Sequence, residues 1–323
     1  MDICIRADGG SQIGMGHVMR TLVLAKELRK KHNVFYACRV DKPITKRYIP
    51  GIEQIEKENF KVIQINENKL KENIKYINAD CIITDSYDVD EEYFDIVKEK
   101  FKISGCLDDE KICDYFNVDF LINQNPYAQD LNYKVNSNTK LMMGCSYTTL
   151  REEFRNIQYK QINDKVRTIM VTVGGSDNSN LTEQILQSIK NFKGTIDIVV
   201  GPAFKFIDKL RKYENENVNL HFNANMCELM KKCDLAISSC GSTLYELAAC
   251  KTPTIGIIVA ENQTLAADTM DEMGLIKYST IKDLYKNILH YTYDERKKSS
   301  GKMKSLVDDN GCERIIDCLE RML

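Results

Sequence analysis

Between Arg6 and Arg20 the chain reads Arg6-Ala7-Asp8-Gly9-Gly10-Ser11-Gln12-Ile13-Gly14-Met15-Gly16-His17-Val18-Met19-Arg20, with four glycines directly before a histidine. An apolar run containing Ile3, Ile5 and Ala7 precedes it and has the character of a buried strand. Val18, Met19, Leu22, Val23, Ala25 and Leu28 follow at the spacing of an amphipathic helix. Strand, glycine loop and helix in that order let backbone amides meet an anion or a polar ligand. Glycine permits the positive φ and close backbone approach that such a loop needs. The spacing places His17 in the first turn of the helix, pointing into whatever the loop encloses. This is not a dinucleotide fingerprint, because Met19 stands where the third glycine belongs. A tight turn with an incidental histidine is the competing reading.

Three stretches of the second half have similar chemistry. Gly174-Gly175-Ser176-Asp177 is a glycine pair at a strand end, able to hold a phosphate on its amides or to serve as a plain turn. Ser238-Ser239-Cys240-Gly241-Ser242-Thr243 leads into a helix that carries Glu246. That carboxylate can accept from two sugar hydroxyls, or can simply complement the helix dipole. Glu261-Asn262-Gln263 offers uncharged donors and acceptors suited to a neutral sugar or an amide.

The elements that must position these groups alternate along the chain. Strand-like runs at Val34–Cys38, Val62–Ile65, Cys81–Thr84, Ile103–Leu107 and Phe120–Ile122 each end in polar or acidic residues, among them Asp85-Ser86-Tyr87 and Asp108-Asp109. Strand ends of this kind line the ligand crevice of an open parallel sheet, although a single Asp or Asn there is more often a helix cap. After a polar stretch from Phe154 to Lys165 the pattern starts again at Ile169. We therefore expect an α/β chain of two Rossmann-like, doubly wound domains facing each other across a cleft. Their expected extents are 1–160 and 161–323, with the last helix free to pack back on the first domain.

Composition narrows the function. The chain has 323 residues, with 45 Lys and Arg against 47 Asp and Glu, and shows no basic stripe of the kind nucleic-acid binding needs. The 12 cysteines include no Cys-x-x-Cys and lie mostly within apolar runs, as reduced, buried thiols do. No metal site is expected. No apolar run is long enough to span a bilayer, and the first strand begins at the first residues, so a cytoplasmic chain without membrane insertion is expected.

Taken together, these motifs resemble the UDP-sugar hydrolases of pseudaminic acid biosynthesis and, more distantly, the MurG-type glycosyltransferases of GT-B fold. The resemblance rests on Arg6-Ala7-Asp8-Gly9 with Gly14-Met15-Gly16-His17-Val18-Met19-Arg20, then Asp85-Ser86-Tyr87, Asp108-Asp109 and Gln124-Asn125. It continues through Gly144 with Tyr147, Leu150-Arg151, Glu153-Phe154, Gly174-Gly175-Ser176-Asp177, Gly241-Ser242-Thr243 with Glu246, Pro253 and Asn262-Gln263. One departure is Ser86, where the family commonly has a histidine. The resemblance implies hydrolysis of a UDP-linked 2,4-diacetamido-2,4,6-trideoxy hexose to free sugar and UDP, with water attacking the anomeric carbon and inverting it. It implies His17 as general base, and Arg6, Asp8, Gly14, Gly16, Tyr87, Asn262 and Gln263 around the sugar. It places UDP on Gly174, Gly175, Ser176, Gly241, Ser242 and Thr243, with Glu246 on the ribose. No cofactor or metal is implied, and the only partner is the UDP-sugar, taken by a monomer. Asp8 or another strand-end carboxylate is expected to orient the imidazole. A MurG-like transferase using a UDP-sugar donor is the alternative.

Overall fold

The computed structural model describes every residue except Ser11, Lys42, Lys46, Tyr159 and Leu323. The chain divides into two compact units, one of Met1–Thr149 with Asn310–Leu323 and one of Leu150–Asp309.

The first unit holds seven parallel strands: β1 (Asp2–Ala7), β2 (Asn33–Val40), β3 (Val62–Asn66), β4 (Cys81–Asp85), β5 (Ile103–Leu107), β6 (Phe120–Asn123) and β7 (Lys140–Met143). Their order across the sheet is β3-β2-β1-β4-β5-β6-β7. The central strand β1 buries both faces, which is why it reads as an apolar run rather than an alternation. Ile3, Ile5 and Ala7 pack with Val18, Leu22 and Ala25 of the helix Gly16–Leu28, while Cys4 packs on the opposite face with Ile82, Tyr93 and Phe94. Ile315 and Leu319 of the closing helix Gly311–Glu320 complete the first of these cores.

The second unit repeats the plan with six parallel strands: β8 (Thr168–Thr172), β9 (Thr195–Val200), β10 (Val218–Phe222), β11 (Leu235–Ser239), β12 (Thr254–Ile257) and β13 (Lys277–Tyr278). The order is β10-β9-β8-β11-β12-β13. Buried Arg296, on the helix Tyr293–Leu306, donates to the carbonyls of Tyr291, Asn163 and Asp164, which holds the start of this unit against its end.

In both sheets the chain changes direction between the first strand and the fourth, so β1 lies beside β4 and β8 beside β11. The loops leaving those strand pairs open at the carboxyl edge, where ligands bind in open α/β sheets. Register brings the loop ends together: Ala7 pairs with Asp85 in the first sheet, and Thr172 pairs with Ser238 in the second.

The loop after β1 has little room. A Cβ on Gly51, in the first turn of the helix Ile49–Lys57, would lie 2.3 Å from the Gly9 carbonyl oxygen. Backbone must move to relieve such a contact, and overpacking of this kind costs about 1–3 kcal/mol. Gly51→Ala is expected to lower the thermal midpoint by several degrees, read by scanning calorimetry beside the wild type.

Candidate functional site

The residues around His17 come from one helix and two strand ends. Gly10 and Gly14 exchange backbone hydrogen bonds of 2.9 Å in both directions, which closes the glycine loop on itself. Gly14 has φ +81°, and a Cβ there or on Gly16 would meet nothing within 4 Å among the described residues. The helix starts at Gly16 with Met15 at its N-cap, whose side chain makes no cap hydrogen bond. His17 follows, 6% exposed, with Thr21 Oγ1 donating to its carbonyl.

His17 Nδ1 lies 2.6 Å from Asp85 Oδ1, at the end of β4. Asp85 is wholly buried, and Arg20 grips it with two donors, Nε to Oδ2 and a terminal nitrogen to Oδ1, both at 2.6 Å. The other terminal nitrogen of Arg20 donates to Asp109 Oδ2 at 2.5 Å. Asp109 in turn accepts from the Tyr87 hydroxyl at 2.8 Å. The Tyr87 ring packs edge-on against the His17 ring, with centroids 4.4 Å apart. One guanidinium thus bridges two carboxylates, and each carboxylate holds one of two touching rings.

Electrostatics fixes the protonation of this set. Burial works against ionised Asp85, but Arg20 and His17 outweigh it and hold the carboxyl at about 2. An ionised carboxylate can only accept, so the short contact requires the proton on His17 Nδ1. Arg20 also approaches Nδ1 at 3.3 Å, but a nitrogen already donating to Asp85 has no lone pair to offer it. In the neutral imidazole the lone pair is then on Nε2. Burial, with Asp109 beside it, pushes the Tyr87 phenol far up, so Tyr87 stays a neutral donor.

Asp8 belongs to a different cluster. Its carboxylate accepts from Arg6 at 2.7 Å and from the Arg39 backbone and Nε at 2.7 and 2.6 Å. Arg39 also pairs with Asp88. The carboxylate on His17 is therefore the strand-end Asp85, and Asp8 is taken up by two arginines. Arg6 is wholly enclosed, so any part it plays in binding runs through Asp8 and Arg39. Ser86 is 6% exposed and its hydroxyl accepts from the Asp88 amide, which braces the turn after β4.

In the second unit, the loops after β8 and β11 are adjacent. Gly174 has φ +102°, and a Cβ on it would lie 4.0 Å from Ser239 Oγ. Both oxygens of Asp177 accept amides of the following helix, from Leu181 and Thr182. Gln263 spends its carbonyl oxygen on the amides of Cys240 and Val259, and its amide nitrogen lies 3.7 Å from where a Gly241 Cβ would stand. It ties the loop after β11 to the loop after β12. Asn262, beside it in the turn Glu261–Gln263, is exposed, as is Ser242, while Gly175, Ser176 and Thr243 are half-buried. Glu246 accepts two hydrogen bonds from Arg151, Nε at 2.7 Å and a terminal nitrogen at 3.0 Å. Burial raises the Glu246 carboxyl, and Arg151 opposes that rise. Among the described residues, no group of three or more His, Cys, Asp or Glu side chains is placed to hold a metal ion, and no helix is long and apolar enough to cross a membrane.

Arg20, Asp85 and Asp109 stand in motifs the sequence shows, but sequence reading did not assign Asp85 to His17, Arg20 to Asp85 and Asp109, or Arg151 to Glu246. Arg20 carried a signal, since it follows His17 by three residues on one helix face. Asp85 carried another, as a strand-end acid on the strand that sheet order sets beside β1.

Comparison with known proteins fits this architecture. Residues 168–311 match the glycosyltransferase family 28 C-terminal domain. An uncharacterized protein of Methanocaldococcus jannaschii is 31% identical over 81% of this chain, which spans 57% of that relative's length. The UDP-2,4-diacetamido-2,4,6-trideoxy-beta-L-altropyranose hydrolase of Campylobacter jejuni is 27% identical, over 85% of this chain and 97% of its own. The crystal structure of the kitacinnamycin glycosyltransferase matches all of this chain and 98% of its own with a TM-score of 0.65 at 11% identity. Such a likeness shows the fold alone. The chain has a GT-B-like fold, carries a glycosyltransferase family 28 C-terminal domain, and has homologues that bear the name of that hydrolase.

Proposed function

We infer that this chain, a homologue of UDP-diacetamido-trideoxy-altropyranose hydrolases, splits a UDP-linked 2,4-diacetamido-2,4,6-trideoxy hexose into free sugar and UDP. The reading places it in nonulosonic (pseudaminic) acid biosynthesis. The observation that carries it is the His17–Asp85 pair at the carboxyl edge of the first sheet. Asp85 keeps the proton on Nδ1, so Nε2 can take one from water as that water attacks the anomeric carbon. A single displacement by base-activated water inverts the configuration at that carbon, as in inverting glycosidases. Tyr87, a neutral donor in contact with the His17 ring, is assigned to the sugar, with Gly14 and Gly16 leaving room beside it.

The second unit is assigned the nucleotide. UDP leaves as an anion, and its charge needs donors already in place. The loops Gly174–Ser176 and Gly241–Thr243 supply amides and hydroxyls. Of the acids nearby, Asp177 accepts helix amides and the charge of Glu246 is balanced by Arg151. That chemistry suits an anion held by the protein rather than through a metal ion. Asn262, exposed beside Gln263, is assigned to the junction of sugar and phosphate.

A transferase is the second reading, favoured by the fold of the neighbouring glycosyltransferase. The two separate in one assay: purified protein with the UDP-sugar alone, UDP release followed enzymatically and the sugar by NMR. Stoichiometric UDP and free sugar, with the anomer first formed inverted, are expected. Turnover that begins only when an alcohol or lipid acceptor is added would instead establish the transferase.

A further inference from the structure

We propose that Arg20 is a positioning residue that sets both rings of the site at once, His17 through Asp85 and Tyr87 through Asp109. The assignment rests on the hydrolase reading for what the rings do, but its geometry stands without that reading. Arg20 uses Nε and both terminal nitrogens on two carboxylates from different strand ends, at 2.5 to 2.6 Å. Its side chain is only 12% exposed, so these contacts form with little competition from water. Each carboxylate has one further partner of consequence: Asp85 takes Nδ1 of His17 and Asp109 takes the hydroxyl of Tyr87. A fault at Arg20 therefore reaches both rings, whereas a fault at either carboxylate reaches one.

A guanidinium is suited to this arrangement because its donors form a rigid planar fork. The Arg20 fork sits side-on to Asp85, fixing the carboxylate plane and hence the direction from which Nδ1–H can approach. Its remaining arm fixes Asp109. Arg20 also adds a positive charge beside the imidazole. The groups that face this centre are Asp85 from β4, Tyr87 from the turn after it, and Asp109 after β5, with Asp108, Glu110 and Tyr127 further out. Without Arg20, that charge beside the imidazole is lost and the Asp85 carboxylate loses the two donors that fix its plane.

The test uses Arg20→Gln and Arg20→Lys in the full chain, with folding checked by circular dichroism. Nitrogen-15 NMR of the ligand-free protein reads the His17 tautomer, its signal assigned by loss in His17→Asn among the four histidines. The wild type is expected to show Nδ1–H alone, and Arg20→Gln a mixture of the two tautomers. With the UDP-sugar, Arg20→Gln is expected to lower kcat by roughly 30-fold or more and to move the acid limb of kcat/KM up by about one pH unit. Arg20→Lys restores a charge but cannot span both carboxylates. It is expected to return the acid limb toward the wild type while kcat stays low. UDP affinity should not change in either variant.

A role as a mere staple between helix and strands predicts otherwise: lower thermal stability and lower kcat, with the tautomer and the acid limb unmoved. That result, or a single His17 tautomer in Arg20→Gln, overturns the proposal. If the wild type does not hydrolyse the UDP-sugar, the hydrolase reading falls, while the tautomer comparison still decides the role of Arg20.

Discussion

Alanine at His17 is expected to reduce turnover of the UDP-sugar by about 1000-fold, while the dissociation constant for UDP stays within twofold of wild type. The two parts of this result have separate causes. Without the imidazole the proposed general base is lost, and a bare water is a poor nucleophile toward the anomeric carbon. UDP is assigned to loops of the second unit, so its affinity is expected not to depend on the imidazole of His17. Asp85→Asn makes a sharper comparison. An amide at this position can present its NH2 to Nδ1, which would move the imidazole proton to Nε2 and remove the lone pair that takes the proton from water. Its activity should fall toward that of His17→Ala with the imidazole still present. Single-turnover kinetics with the UDP-sugar, beside calorimetric titration with UDP, checks both. Weaker UDP binding in His17→Ala, equal to the loss in rate, would show that His17 holds the nucleotide instead.

The plan of each half, a parallel sheet covered on both faces, was legible because such strands leave near-continuous apolar runs, and β1, β4, β5, β8 and β11 all do so. Strands at the margins were less so. Lys140–Met143 is four residues long with a lysine and two methionines, and Lys277–Tyr278 is a pair; neither carries a period. Among site residues, His17 and the glycines declared themselves because their types are rare and their spacing tight. The carboxylates did not. Asp8, Asp85, Asp108 and Asp109 all stand just past an apolar run, and only the strand order tells which of them meets a histidine. Asp8 is nearest to His17 in sequence, yet β2 brings Arg39 onto it. Asp85 is 68 residues away but lies in register with Ala7. Asp108, which looks like the twin of Asp109, instead accepts the Tyr133 hydroxyl and the amides of Lys111 and Ile112. Proximity in sequence misleads here because a parallel sheet sets its neighbours by crossover.

Glu246→Ala is expected to weaken UDP binding by roughly 30-fold, about 2 kcal/mol, the worth of hydrogen bonds from neutral donors to a carboxylate. The Arg151 contact does not exclude this role. Each Glu246 oxygen accepts one guanidinium hydrogen, and a carboxylate offers about four acceptor sites, so two remain for a pair of ribose hydroxyls. The ion pair favours it, because a carboxylate held on two nitrogens needs little further ordering when a ligand arrives. Loss of affinity alone is ambiguous, since Glu246→Ala also takes from Arg151 the carboxylate that accepts two of its hydrogen bonds. A ligand lacking the hydroxyls removes the ambiguity. Against 2′,3′-dideoxyuridine diphosphate, the wild type should bind about as weakly as Glu246→Ala binds UDP, and the variant should no longer distinguish the two ligands. Isothermal titration of both ligands on both proteins closes this cycle. If the wild type binds UDP and its dideoxy analogue equally, Glu246 serves only as the counter-ion of Arg151, and the ribose is held elsewhere.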